Sequence, residues 1–250
     1  MKVLIQDFLL MLQFFTRLPI NLNLTCEKEN FKRGTMFFPL IGLTTGFIQW
    51  ITYFLAIKVL PDSTTALFVL LIGILVTGAL HIDGLGDVFD GFFAFKGKDK
   101  IIEIMKDSRI GTYSCIAIIM DLAFRYNSYI NLINKEFSLG IIAAPVVART
   151  IFVLLFYMGK QAKKVGTGNL FIGNVSKKEL VVSCLLGAVI TGLLLGLTKA
   201  LVITAAAVIA TLLFNKYCEG KIGGLTGDTL GANNEFVEVI TLILAYSIKL

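Results

Sequence analysis

Residues 64–92 read "TTALFVLLIGILVTGALHIDGLGDVFDGF". Up to Leu80 the stretch carries no charged side chain; then come His81, the chain's one histidine, and Asp83, Asp87 and Asp90. An uncharged apolar run of this length suits a membrane-spanning helix. Carboxylates are costly in hydrocarbon, so the run has to end where the acids begin. The same reading extends outward to spans at roughly 36–57, 64–81, 110–133, 138–158, 179–197, 200–215 and 232–248. Across the 250 residues, 56% are hydrophobic and 16% charged, and the mean hydropathy is +0.81. A soluble chain carries about a quarter charged residues. The expected fold is therefore all-α: a polytopic integral membrane helical bundle of about seven transmembrane helices. It forms one membrane-embedded domain over residues 1–250, with no repeat or low-complexity linker dividing it.

Residues 1–35 form an expected interfacial segment. Leu4, Phe8, Met11, Leu12 and Phe15 recur at helical spacing within 3–17, while Gln6, Asp7 and Gln13 lie elsewhere on the wheel. This predicts an N-terminal amphipathic helix, ended by Pro19. Gln13 and Asp7 interrupt its apolar stretch and no small-residue cleavage site follows, so it is not read as a cleavable signal peptide. Cys26, Cys115, Cys184 and Cys218 show no paired or metal-ligand spacing, which argues against a disulfide framework or a zinc site.

Charge sets the expected orientation. With the N-terminus cytoplasmic, 17 Lys and Arg residues fall in inside segments, against Lys58, Lys135, Lys199 and Lys249 outside; Arg125 and Arg149 lie within spans. The net charge of +6 is thus a topology signal, and no nucleic-acid partner is expected. The acidic segment 82–109, the loop containing "KKVGTGN" and the Gly-rich loop 216–231 all fall on the cytoplasmic face. Three loops on one face can build one site.

The i, i+4, i+7 spacing of Asp83, Asp87 and Asp90 puts them on one side of a helix. Like charges so stacked repel unless a cation sits among them. Oxygen-only donors suit a hard ion such as Mg²⁺. The alternative is a solvated acidic helix end. Gly84, Gly86 and Gly91 weigh against a plain surface helix and allow close approach of a ligand or another helix. His81 reads equally as a general base or as an interfacial histidine at a helix end. In "EIMKDSRIGT", Asp107 is placed to complete the metal set, and Ser108 and Arg109 to bind phosphate oxygens. Asp107 or Ser108 also reads as the N-cap of the third span. "GGLTGDTLGANNE" places Gly224, Thr226, Gly227 and Asp228 before the last helix, a weak phosphate-loop signal without the P-loop lysine. Arg125 reads as a helical partner of Asp121. Arg149 has no carboxylate at helical spacing and is a candidate contact for a substrate anion. From residues alone the expectation is a Mg²⁺-dependent membrane enzyme acting on a phosphorylated or diphosphate substrate.

The stretches "FFTRLPI", "FFPLIG" (37–42), "HIDGLGDVFDGFF" (81–93), "EIMKDSRIGTY" (103–113) and "GGLTGDTLGANNE" (223–235) together resemble, in order, the motifs of the cobalamin synthase family, the adenosylcobinamide-GDP ribazoletransferases. The resemblance spans essentially the whole chain. It implies a membrane transferase, multi-pass in the cell membrane with its active face cytoplasmic. It implies that adenosylcobinamide-GDP and α-ribazole, or its 5′-phosphate, are joined to give adenosylcobalamin or its phosphate plus GMP, late in cobalamin biosynthesis. It also implies Mg²⁺. By position, Asp83, Asp87, Asp90 and Asp107 hold metal, and one of these carboxylates or His81 takes the hydroxyl proton. Expected partners are the two substrates and the bilayer, with a second copy or other enzymes of the pathway as candidates. The alternatives are another Mg²⁺-dependent phospho- or prenyl-transferase, or a transporter. Phe95 stands where CDP-alcohol phosphotransferases carry arginine, and a second aspartate-rich motif is reduced to Asp228. A transporter's sites belong near mid-membrane, not gathered at one face.

Overall fold

The computed structural model describes residues 2–248, so Lys249, counted above on the outer side, lies outside the described residues. They form the helices α1 (Lys2–Phe15), α2 (Lys28–Gly34), α3 (Phe38–Ala56), α4 (Asp62–Thr77), α5 (Leu80–Phe92), α6 (Lys98–Ile104), α7 (Thr112–Asn134), α8 (Leu139–Met158), α9 (Lys177–Leu195), α10 (Leu197–Ile222) and α11 (Gly227–Ser247). The protein is an all-α polytopic bundle. The seven expected spans fall on α3, α4 and α7 to α11. Four helical runs are long and apolar enough to cross a membrane, those ending at Ala56, Met158, Leu195 and Ile222, and α4 with α5 makes a fifth if that bent pair counts as one. The remaining long helices, α7 and α11, are less apolar because they carry Asp121, Arg125, Glu235 and Glu238. The span expected at 200–215 is part of a helix of 26 residues, and the loop expected from 216 is helical to Ile222.

α8 is the axis of the bundle. Residues from Gly140 to Val153 are buried without a break, and α3, α9, α10 and α11 pack around it. Apart from Arg149 and Thr150 this stretch is apolar on every side, as suits an enclosed helix. α3 lies closest. A methyl on Gly46 would stand 2.8 Å from the Ile142 Cα, so small residues let the two backbones touch.

The opening stretch is broken where a single span was expected. α4 stops at Thr77; Gly78 (φ 62°) and Ala79 (φ 57°) are left-handed, and α5 leaves at 87° to α4. The Ala79 N–H donates to the Ile74 carbonyl and the Gly78 N–H to that of Leu75, a Schellman cap that satisfies the end of α4. His81, placed in the span by its sequence, is in the first turn of α5 instead. α4 and α5 are thus two helices at a sharp bend and not one continuous helix.

α1 also differs from expectation. It docks by Asp7, Leu10, Met11, Leu12 and Phe15, while Val3, Leu4 and Ile5 are exposed. Asp7 is fully buried because α2 satisfies it: Arg33 Nε donates to Oδ2 at 2.8 Å and Asn30 Nδ2 to Oδ1 at 2.8 Å. A carboxylate so paired is tolerated inside, and helical spacing cannot reveal the partner.

Candidate active site

α5 carries the aspartates on one side, as spacing predicts, and its glycines each admit a neighbour. A methyl on Gly84 would stand 2.8 Å from the Asp228 carbonyl oxygen of α11; Gly86 backs onto Ser114 of α7, and Gly91 onto Met105 just after α6. The close approach foreseen for the glycines is therefore by helices.

The three polar loops meet at one end of the bundle. The link is backbone to backbone. The Leu225 N–H donates to the Lys160 carbonyl at 2.7 Å and the Ala162 N–H to the Leu225 carbonyl at 2.9 Å. Gly223 (φ 76°) ends α10, and Gly224 has no room for a side chain beside Lys160. Thr226 caps α11: its hydroxyl oxygen accepts from the Thr229 N–H at 3.3 Å, and its O–H donates to Asp228 Oδ2 at 3.1 Å. Gly224 and Thr226 thus serve packing and capping, while Gly227 and Asp228 reach the cavities.

Asp83, Asp87 and Asp228 line one cleft of about 900 Å³ with Lys106, Arg109 and Lys163; Asp107 and Ser108 lie on the same wall. Lys163 Nζ is 3.8 Å from Asp228 Oδ2. Burial pushes the Asp87 carboxyl up to about 7, and its neighbours Asp228, Asp83 and Asp90 push the same way against Lys163. A bound cation would relieve this crowding. Asp90 is turned elsewhere. Its oxygens accept from the backbone N–H of Gly111 at 2.6 Å and of Ser114 at 2.9 Å, so Asp90 caps α7 from another helix. The expected N-cap at Asp107 or Ser108 is corrected: α7 starts at Thr112, behind Gly111. Asp107 is bound to Arg109 at the surface, and the hydrogen bonds from Arg109 hold its carboxyl down at about 2.

The donors fit Mg²⁺ in kind, since they are carboxylate oxygens without sulfur or imidazole. Among the described residues no three Asp, Glu, His or Cys side chains converge tightly enough to hold a metal alone. Mg²⁺ commonly keeps waters and takes oxygens from substrate phosphate. The carboxylates would then supply only part of its oxygen shell.

His81 and Arg149 lie apart from that cleft. His81 is 4% exposed and Nε2 has no hydrogen-bond partner. It sits 6.2 Å from the Phe15 ring and 5.5 Å from that of Phe152, centre to centre. Arg149 is 1% exposed, lies over the same two rings and donates from Nη1 to Asn234 Oδ1 at 2.6 Å. The structure gives it a core contact, reached through α11. The Asp121–Arg125 pair is present and larger than foreseen, since Arg125 also binds Glu235 and, at 2.9 Å, Glu238. The sequence marks Lys163, with Lys160 and Lys164, as a basic run that sets topology or attracts a polyanionic substrate, but it does not single out Thr167 or Gly168. The only signal for them is the basic, glycine-containing loop itself.

Fold and site together define a polytopic helical membrane protein with an acidic, cation-flanked cleft at one end of its bundle. The chain matches the cobalamin-5-phosphate synthase family over residues 7–246 and belongs to it. It is 50% identical over 241 residues to a Clostridium tetani protein named adenosylcobinamide-GDP ribazoletransferase, covering 96% of each chain. Proteins of the same name from Clostridium kluyveri and Clostridium botulinum (strain Langeland) are 48% identical over 246 residues and 43% over 244, covering 98% of this chain and 97% and 98% of theirs. No solved structure matches the chain.

Proposed function

We propose that this chain is an adenosylcobinamide-GDP ribazoletransferase of the cell membrane. It joins adenosylcobinamide-GDP to α-ribazole, or to α-ribazole 5′-phosphate, with release of GMP. The observation that carries the reading is the cleft in which Asp83, Asp87 and Asp228 face Lys106, Lys163 and Arg109, in a family whose named members are these transferases. A ribose hydroxyl oxygen that is free in both α-ribazole and its 5′-phosphate attacks the phosphorus that bears cobinamide. A new P–O bond forms, the P–O bond to GMP breaks, and the hydroxyl proton passes to a carboxylate of the cleft. Lys163, Lys106 and Arg109 offset the charge of the diphosphate, most of all as it grows on the leaving oxygen. Asp83, Asp87 and Asp228 would hold Mg²⁺, which when bound supplies charge neutralisation at the diphosphate. Asp90 and Asp107 contribute by capping α7 and by holding Arg109.

The test is incubation of membranes containing the protein with both substrates and Mg²⁺. GMP and a joined corrinoid product are expected, and their absence with folded protein and verified substrates rejects the reading. Asp87→Ala is expected to abolish turnover while the protein still inserts; near-normal activity removes Asp87 from the site.

A further inference from the structure

We infer that the bundle holds an anionic phospholipid behind the acidic face of α5. Its headgroup phosphate lies at Lys216 and Lys221, near the end of α10, and one acyl chain runs down a groove between α7 and α10. The inference rests on the fold as a membrane bundle and is independent of the transferase reading.

α7 and α10 both pack on α11. Between them runs a groove whose lining includes Leu85 and Phe89 of α5, Met120 and Phe124 of α7, Ala210 of α10 and Ile240 of α11. Its one charged residue, Asp121, is paired with Arg125, and the rest of the lining is apolar. The groove follows the three long helices inward from the end of the bundle that carries the catalytic cleft. Phe124, Ala210 and Ile240 lie between three and four turns from the helix ends at Thr112, Ile222 and Gly227, roughly 18 Å at 1.5 Å per residue. One leaflet holds about 15 Å of hydrocarbon. The groove is therefore about as deep as one acyl chain is long, and lipid is the medium it opens to.

An apolar groove takes any lipid; the charge at its mouth selects among them. Ala210, Leu213, Tyr217 and Lys221 share one stripe of α10 and carry the groove up to the end of the bundle. Leu213, Lys216, Tyr217, Gly220 and Lys221 line a shallow hollow there, with open space beside Gly220. The Tyr217 ring meets Phe92 of α5 at 5.5 Å and 70°, and Lys221 Nζ donates to the Phe92 carbonyl at 3.0 Å. Phe92 is one turn from Phe89 in the groove, so the hollow and the groove adjoin. Among the described residues no carboxylate lies within 4.0 Å of either lysine ammonium. Glu219 is on the other side of α10 from Tyr217 and Lys221 and accepts from Asn215 at 3.4 Å. A tyrosine and two lysines at the end of a span suit the headgroup level, and basic pockets placed so bind anionic headgroups. The chain held below them lies against Leu85 and Phe89, on the side of α5 opposite Asp83 and Asp87.

The test is fluorescence quenching of the full-length protein in phosphatidylcholine vesicles. The chain has one tryptophan, Trp50. Trp50→Phe combined with Leu213→Trp moves the single indole to the mouth of the groove, at an exposed position. The vesicles carry a chain-brominated lipid, either phosphatidylglycerol or phosphatidylcholine. Phosphatidylglycerol is expected to quench at a mole fraction about tenfold lower. Lys216→Gln, at an exposed residue, is expected to cut that preference about fivefold, the share of one lysine at the surface. Ala210→Phe, which fills the groove with both lysines in place, is expected to abolish it. Equal quenching by the two lipids, or a preference that survives Lys216→Gln and Lys221→Gln together, overturns the headgroup site. A preference untouched by Ala210→Phe reduces it to surface attraction and overturns the seated chain. Quenching by neither lipid gives the face to another occupant, such as a second copy, and overturns the proposal. Displacement by inorganic phosphate, against chloride at equal ionic strength, makes the ligand a free anion and overturns it as well.

Discussion

At the level of single residues, the three aspartates of α5 divide their work although their spacing treats them alike. Asp83 and Asp87 face the cleft; Asp90 accepts two backbone N–H groups at the start of α7. Asp90→Asn should therefore cost stability, about 1–2 kcal/mol by analogy with lost caps, measured as a lowered midpoint of thermal unfolding in detergent. Asp87→Asn should leave that midpoint unchanged or raise it, because it removes crowded negative charge. Equal midpoints for the two variants would reject the division. Arg125 is the other decisive residue. It holds Asp121, Glu235 and Glu238 in the interior, so Arg125→Met leaves three buried carboxylates without their cation. A loss of about 3–5 kcal/mol is expected, seen as reduced yield of folded protein; a stable variant would show that the carboxylates are neutralised in another way.

Among the helices, the contact of α5 with α11 sets the spacing of Asp83 from Asp228. Gly84 is the closest point, facing backbone that cannot rotate away. Gly84→Ala should push α11 outward by tenths of an ångström and lower kcat more than it lowers stability, since positioning errors of this order are costly in catalysis. Unchanged kcat would show that the spacing is not critical. The break at Gly78 and Ala79 matters for the same reason. The apolar pattern runs through residue 80 without interruption, so periodicity makes one span of 64–81. Only the positive φ angles there, and the docking of α5 across α7 and α11, turn the acidic helix by 87°. Likewise α8 looks in sequence like a lipid-facing span and is the most enclosed helix, because hydropathy does not distinguish lipid from protein as the apolar surroundings.

For the whole molecule, the charge asymmetry supports a site on the cytoplasmic face. A single cysteine introduced at position 98, at the start of α6, should react with an impermeant maleimide only when the cytoplasmic side is accessible. Labelling of intact cells from outside would reverse the orientation. The same asymmetry puts the ends of α4, α8 and α10 and the starts of α7 and α11 together, which is how segments far apart in the chain come to share one cleft.

What the sequence by itself determined is the class of fold, the order of its long helices and the acidic and glycine-rich stretches around which the site is built. These are properties of composition and period, carried by neighbouring residues. Tertiary structure alone decided how the same residues are used. It sent Asp90 to a helix end, sealed Arg149 in the core, brought Lys163 to Asp228 and enclosed His81 among phenylalanines. Each of those outcomes depends on a partner tens of residues away, and neither spacing nor hydropathy records which distant groups the fold brings within hydrogen-bonding reach.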